Sequence, residues 1–239
     1  MRVDMAELKT CAQWGEDRLI WEYFERTSQG FFAEIGVNDP EIGSKTYLLE
    51  EHGWHGVLVE PQPACYERLH LRRPNSRVFQ AACGSPSPRG RKVLDSAGAE
   101  GNSRPSTKRP DSLASVSSTI EIEVETLDNI LAASDCSGLD FLAINAESAG
   151  LDVLNGLDLK RYGPKLILIK DYLLTLAVDR HLRASRYKAV KRTGTNNWYI
   201  PAGARFQFSS LKERVKLFRK IRVGTPFRQT KVWLRGKKS

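Results

Sequence analysis

No stretch of this 239-residue chain approaches the roughly 20 consecutive apolar residues that a membrane-crossing helix needs, so no such span is expected. The opening MRVDMAELK lacks the apolar core of a secretory signal, and a cytoplasmic location is the expectation. Cysteine is scarce. Cys11, Cys65, Cys83 and Cys136 lie far apart and form no C-x-x-C pair, which argues against both a zinc site and a disulfide framework. Four reduced, mostly packed thiols are expected instead. His52 and His55 straddle Gly53, a helix-ending residue, so they make a poor metal pair, and no metal is expected. The hydrophobic share, 41%, is slightly low for a globular chain and points to polar tails or loops. The length suits one domain with a full core.

Acidic residues are nearly missing from one region. From Arg205 to Ser239 there are 12 Lys and Arg against the single acid Glu213. The formal charge of +9 is therefore a property of the C-terminus, and the preceding 204 residues carry a net charge of −2. The body also lacks an interleaved aromatic and basic surface or a known reader motif, so nucleic acid is not an expected partner.

The informative stretch is Phe31 to Pro63, FFAEIGVNDPEIGSKTYLLEEHGWHGVLVEPQP. Phe31, Phe32, Ile35 and Val37 form a short apolar run of strand type. Gly36, Asn38, Asp39 and Pro40 make a loop, Ser44 to His52 has helical character, and Gly53 ends it. Val57 to Val59 is a second strand, closed by Glu60 and Pro61. Strand, helix and strand in this order imply a parallel pair with the ligand site beyond the carboxyl ends. Gly36 admits a close ligand, the helix start offers unpaired N–H groups, and Glu60 can accept two ribose hydroxyl bonds. A solvated strand-end acid is the plain alternative for Glu60. The loop has one glycine where a dinucleotide fingerprint needs three, which suits a ligand without a pyrophosphate, such as S-adenosyl-L-methionine (SAM).

The sequence resembles the FkbM-type methyltransferase family. The matching pieces are QWGED (Gln13 to Asp17), FFAEIGVNDP, Ser44 to Thr46, GWHG with Val59 to Pro61, Thr126 to Asp128, LDFLAINAESAGLDVLNG (Leu139 to Gly156) and PKLILI (Pro164 to Ile169). The resemblance implies an α/β, Rossmann-like class I methyltransferase fold: a mostly parallel seven-stranded sheet with a terminal antiparallel hairpin. It implies SAM as cofactor and a hydroxyl on a small molecule or glycan as acceptor. On that reading the cofactor neighbourhood comprises Gln13, Glu34, Gly36, Val37, Asn38, Pro40, Ser44, Glu60, Pro61, Ala81 and Ala82. The small Ala81 and Ala82 end a third strand, Arg77 to Ala82, where they leave room for an adenine ring or serve equally as packing residues. Glu16 and Asp17 serve equally well as a helix start complementing the dipole.

The acceptor side departs from the family pattern. Relatives read Asp-Val-Glu-Gly after the fourth strand, whereas this chain reads Asn145, Ala146, Glu147, Ser148. Asn145 cannot take a proton at neutral pH. After the fifth strand stand Lys170 and Asp171, and the usual Ser-Asn-Thr is Ser44, Lys45, Thr46. Two readings stay open. In one, Glu147 or Asp171 is the base, Asn145 orients cofactor or acceptor, and Lys170 binds an acidic substrate. In the other, the site is impaired and the fold serves as a binding or partner module.

Helices are expected within residues 1–27, after Pro63, from Thr126 through Ala133, from Leu151 to Leu157 and from Tyr172 to Leu182. Strands are expected at Thr119 to Glu125, Asp140 to Ile144 and Leu166 to Ile169. A closing hairpin turns around Thr193 to Asn196. Gly84 to Ser118 reads as a long loop poor in aliphatic residues, either a mobile flap, the favoured reading, or a segment that orders over a substrate. The domain plan is a helical segment (1–30), a methyltransferase-like domain (31–204) and a basic tail (205–239). Ser210 and Glu213 form a capping box that starts a helix with Leu211, Val215 and Phe218 on one stripe and Leu217 and Ile221 beside it. Such a helix either lies on an anionic membrane surface, at the inner membrane face, or packs its apolar side on the body.

Overall fold

The computed structural model describes residues 9–86, 91–95, 119–146, 149–171, 176–219 and 221. Helix α1 (Glu16–Tyr23) opens behind Gly15 and precedes strand β1 (Phe31–Ile35). Then come α2 (Tyr47–Glu51), β2 (His55–Val59), α3 (Pro63–Arg72), β3 (Ser76–Phe79), β4 (Ala82–Cys83), β5 (Arg91–Asp95) and β6 (Thr119–Glu125). The second half contributes α4 (Leu127–Ala133), β7 (Phe141–Ile144), α5 (Gly150–Asn155), α6 (Leu159–Tyr162) and β8 (Leu166–Lys170). It closes with α7 (Leu176–Ala184), β9 (Tyr187–Thr193), β10 (Asn196–Pro201) and α8 (Leu211–Arg219).

Seven strands form one sheet in the order β3-β2-β1-β7-β8-β10-β9. The first five are parallel, and β10 runs antiparallel between β8 and β9. The order reverses between β1 and β7, and at such a point a crevice opens beyond the strand ends. The expected sheet and closing hairpin are both present.

Alternation along the strands sorts side chains onto two faces. Ala33 and Ile35 of β1, Leu142 and Ile144 of β7, and Ile167 and Ile169 of β8 pack against α4, α5, α6 and α7. Phe32, Leu58, Phe141, Ala143, Leu166 and Leu168 face Ile20 and Trp21 of α1, Leu49 of α2 and Leu69 of α3. The parallel strands are buried on both faces, which explains their unbroken apolar runs.

Three expectations shift. Helix α2 starts at Tyr47 rather than Ser44, because Ser44 and Thr46 spend their hydroxyls on buried acceptors and the Ser44 hydroxyl accepts from the Tyr47 amide. The third strand of the sheet ends at Phe79; Ala82 belongs to β4, which pairs with β6 in a separate three-stranded sheet. Within the stretch read as a flap, Arg91–Asp95 is a strand paired antiparallel with β6. Pairing with a long, strongly alternating strand recruits a segment whose own signal is only Val93 and Leu94. The remainder of that flap beyond residue 86, residues 1–8 of the first helical segment, residues 172–175 and the end of the tail lie outside the described residues. Among the described residues no helix is long and apolar enough to cross a membrane. All four cysteines are free; Cys65, Cys83 and Cys136 are buried, and burial pushes the Cys83 thiol up to about 12.

The capping box of α8 forms in both directions: the Glu213 amide donates to the Ser210 hydroxyl at 3.2 Å, and the Ser210 amide to the Glu213 carboxylate at 2.8 Å. Leu217 and Ile221 are buried against Ala189 of β9, while Val215 is exposed. Lys191 ties β9 to Glu213 at 3.1 Å. Part of the apolar side of the helix is thus used inside the molecule. Leu217→Ala combined with Ile221→Ala should destabilise the protein by about 2 kcal/mol per side chain, read as a lower urea midpoint. An unchanged midpoint would mean that α8 is not docked.

Candidate functional site

The crevice is built from the carboxyl ends of β1, β2, β7 and β8. The chain leaves β1 through Gly36, whose φ of +74° lies in the left-handed region that side chains disfavour. A Cβ there would meet its nearest neighbours, backbone atoms of Asn145 and Ala146 and the Asn145 Cβ, at an ordinary 3.5–3.6 Å, so the requirement is conformational rather than steric. Asn38, at φ +63°, takes a second left-handed position, which Asn tolerates better than most residues. The Gly36 amide donates to the Val59 carbonyl at 2.8 Å, and the Asn145 amide to the Ile35 carbonyl at 2.8 Å. The loop is therefore stitched to both neighbouring strands. Val37 is buried beneath it, and the Pro40 carbonyl is bound from below by Arg73 at 3.0 Å.

Glu34 is fully buried on the α1–α2–α3 side of the sheet, and four donors saturate it. One oxygen accepts from the Ser44 hydroxyl at 2.9 Å and the Thr46 hydroxyl at 2.6 Å. The other accepts from the Lys45 amide and Asn145 Nδ2, both at 3.1 Å. Arg73, 1% exposed, completes the network from the far side. It pairs with Glu50 at 2.5 Å, donates to Thr46 at 2.9 Å, and lies over the rings of Phe32 and Tyr47.

Glu60, at the end of β2, is buried and accepts the Asn38 amide at 2.8 Å and the Gln62 amide at 3.0 Å. Pro61 lies between these two amide contacts in the chain. Burial raises the Glu60 pKa, and those backbone N–H groups oppose the shift. Beside it the Cys65 thiol donates to Asn38 Oδ1 at 3.3 Å.

On the β7–β8 side, Asn145 Oδ1 accepts from Lys45 Nζ at 2.7 Å, and that ammonium also reaches the Gly43 carbonyl at 3.4 Å. Lys45 is 7% exposed, and desolvation lowers its pKa; Glu34 and Glu16 oppose the shift, whereas Lys170 adds to it. By strand alternation Lys170 shares the face of Glu34 and Asn145. Asp171 falls on the opposite face, toward Tyr199, whose pKa is raised by burial first and then by the charges of Asp179 and Asp171. Arg192 holds the Asp171 carbonyl at 2.9 Å.

QWGED lies over the tip of the closing hairpin. Glu16 accepts from Thr193 at 2.9 Å and from Asn196 at 2.6 Å. Asp17 collects the Thr10 hydroxyl and the Cys11, Ala12 and Arg18 amides. The Trp14 ring covers Gly194 so closely that a Cβ would sit 2.4 Å from it. Gln13 is exposed on the outside of this turn. Ala81 is buried among the core residues of the α4–α7 face. Ala82 stands in β4.

The structure thus gathers Glu34, Gly36, Ser44 and Asn145, with Glu60 bound to the same loop. It sets Asp171 apart on the other face. Glu147 lies outside the described residues. Sequence reasoning noted Lys45 but gave it no role, and it passed over Arg73. The signal for Lys45 was its departure from Ser-Asn-Thr; Arg73, in a run of arginines before Pro74, carried none.

Fold and crevice together define a Rossmann-like α/β protein of the class I methyltransferase type. A family model for the methyltransferase FkbM domain matches residues 34–187, and the chain belongs to that family. It is a SAM-dependent methyltransferase, and S-adenosyl-L-methionine is its cofactor. No curated protein matches the chain. Among solved structures, the METTL16 MTase domain is similar with a TM-score of 0.46 at 11% identity, covering 85% of this chain and 73% of that one. An O-methyltransferase from Bacillus cereus in complex with SAH gives 0.45 at 11% identity, covering 82% and 85%.

Arg73→Met strands the buried Glu50 carboxylate and should cost about 3–5 kcal/mol. Pairing it with Glu50→Gln should recover much of that loss, and urea denaturation of both variants tests the coupling. A second expectation concerns pH. A carboxyl whose folded pKa is raised contributes stability below its unfolded pKa, and that contribution is lost as pH rises through the folded value. The stability of the native protein relative to Glu60→Gln should therefore fall as pH rises above about 4.5. A difference independent of pH would refute the shift.

Proposed function

We propose that the protein transfers the methyl group to a hydroxyl oxygen of a small molecule or glycan. The acceptor would lie at the ends of β7 and β8, and the cofactor across Gly36 and Glu60. The observation that carries this reading is the division of the crevice. A buried carboxylate stands on one side of the Gly36 loop, and a Lys45–Asn145 pair stands on the other.

The residues present fit the cofactor. Each Glu60 oxygen accepts one backbone N–H and keeps a lone pair for a ribose hydroxyl. The left-handed Gly36 leaves the loop without a side chain where a ligand approaches. Bound there, SAM supplies an electrophilic methyl on a sulfonium. The chain must then hold the acceptor in line and remove its proton.

Asn145 cannot be the base, and both ends of its amide are engaged, so it orients its neighbours. Asp171 stands on the wrong face for the role. Glu147, two residues beyond Asn145, remains the proposed base.

The impaired-site reading has its own support. The chain has Lys45 and Asn145 where the family resemblance implies Asn and Asp, a difference that would remove an acid from the crevice. The domain plan of helical segment, catalytic domain and basic tail stays part of this proposal, with the exposed basic side of α8 available to an acidic surface.

Glu60→Ala removes a charged acceptor worth about 1.5–3 kcal/mol per hydrogen bond, so SAM affinity should fall at least tenfold. Calorimetric titration checks it, and full affinity in the variant would refute the assignment of Glu60. Labelled methyl transfer to hydroxyl acceptors tests the oxygen preference. Glu147→Gln should abolish turnover while SAM still binds. If Asn145→Asp with Lys45→Asn raises the rate strongly, the natural site is the impaired one.

A further inference from the structure

The hairpin side of the crevice carries a tryptophan with one covered face and one open face. Asn196 pairs with Lys170, so the hairpin tip stands at the carboxyl end of β8, the end of the sheet where the crevice lies. Trp14 sits on that tip. A Cβ at Gly194 would lie 2.4, 2.4 and 2.6 Å from Cε2, Cζ2 and Cδ2 of the indole. Three such similar distances to atoms of one six-membered ring place Gly194 under the face of that ring, not at its edge. With this face covered, the exposure of Trp14, 41%, belongs to the other face and the rim. Among the described residues no aromatic ring or cation lies over it.

The other described tryptophans, Trp21, Trp54 and Trp198, are buried. The indole N–H groups of Trp54 and Trp198 donate to the Thr27 carbonyl at 2.8 Å and the Thr193 hydroxyl at 2.9 Å. The N–H of Trp14 has no acceptor among the described residues. Its backbone is nevertheless fixed. The Trp14 amide donates to the Glu16 carboxylate at 3.0 Å, and Glu16 in turn accepts from Thr193 and Asn196. The Gly15 amide closes the turn onto the Ala12 carbonyl at 3.2 Å. The ring is thus held against the same hairpin that anchors its backbone, and a ligand that stacks on it has little ordering left to impose.

A fixed aromatic face with a free donor at its rim suits a hydroxylated ring. The C–H groups on one side of a sugar ring form an apolar face that packs on an indole, and the hydroxyls at its edge accept the N–H. A plain aromatic ring would stack as well but leave the N–H unused. The platform also adjoins the Lys45–Asn145 end of the crevice, since the charge of Glu16 is felt at the Lys45 ammonium.

We infer that Trp14 is a stacking platform for a sugar ring and that the methyl acceptor is a glycan seated between Trp14 and the Lys45–Asn145 pair. The inference rests on the reading that the acceptor lies at the ends of β7 and β8.

The test is saturation-transfer NMR titration of the full chain with the methyl glycosides of glucose, galactose, mannose and rhamnose, and with catechol as the aromatic counterpart, each with and without saturating S-adenosylhomocysteine. Native protein, Trp14→Leu and Trp14→Phe are compared after thermal unfolding confirms that each is folded. Trp14→Phe serves where Trp14→Leu disturbs the hairpin, and calorimetry follows SAM binding in parallel.

At least one glycoside should bind the native protein with transfer concentrated on the C–H protons of one ring face, in the presence of S-adenosylhomocysteine. Its affinity should fall roughly tenfold in Trp14→Leu and less in Trp14→Phe, which keeps a ring, while SAM affinity is unchanged. Glycoside binding that is absent, or equal in all three proteins, overturns the platform. Catechol binding through Trp14 without any glycoside overturns the sugar assignment, and displacement of the glycoside by S-adenosylhomocysteine overturns its place beside the acceptor. A native protein that binds glycoside through Trp14 but not SAM keeps the platform and refutes the cofactor placement instead.

Discussion

The crevice depends on one buried chain of charges. Glu34 and Arg73 never touch, yet the hydroxyls of Ser44 and Thr46 lie between them, each donating to Glu34 and accepting from Arg73. Glu50 balances Arg73, and Lys45 and Asn145 extend the chain to the mouth of the site. Such a network stabilises only when every member is satisfied, and removal of one leaves the others buried and unpaired. It also explains why a segment so polar can be so buried. The loop between β1 and α2 is held from below by polar side chains together with the buried Val37.

Face assignment follows from strand parity. Glu34, Asn145 and Lys170 occupy alternate positions to Ile35, Ile144 and Ile169, which belong to the core against α4 to α7. The polar ends therefore converge beside α1 and the loop of Lys45. The same parity sends Asp171 away, toward the face of Tyr199. A single residue of difference separates a candidate acceptor ligand from a structural acid. The closing hairpin completes this side: Thr193 and Asn196 hold Glu16, and Trp14 caps Gly194. The N-terminal segment thereby becomes a wall of the crevice.

The tail divides its chemistry between inside and outside. Leu217 and Ile221 of the α8 region close over β9, while Lys212, Val215, Lys216 and Arg219 face out. The basic charge so conspicuous in the composition is thus displayed by a helix seated on the body.

Periodicity and turn chemistry made most of the architecture legible: the strand–helix–strand unit around Gly36, the strands at Phe141 and Leu166, the hairpin at Thr193 to Asn196, and the Ser210–Glu213 capping box. These are local signals, set by backbone geometry and side-chain alternation, and a linear reading detects them. Glu60 was legible too, since a strand-end acid is a local feature. Sequence could not show that Arg91–Asp95 pairs with β6, because β-pairing is decided by a partner distant in the chain. Nor could it show the joining of Lys45 to Asn145, 100 residues apart, or of Arg73 to Thr46. Sequence by itself determined the elements and the residue types at their ends. Only tertiary structure decided which of those ends meet, because burial makes each polar group find a partner wherever the packed chain supplies one.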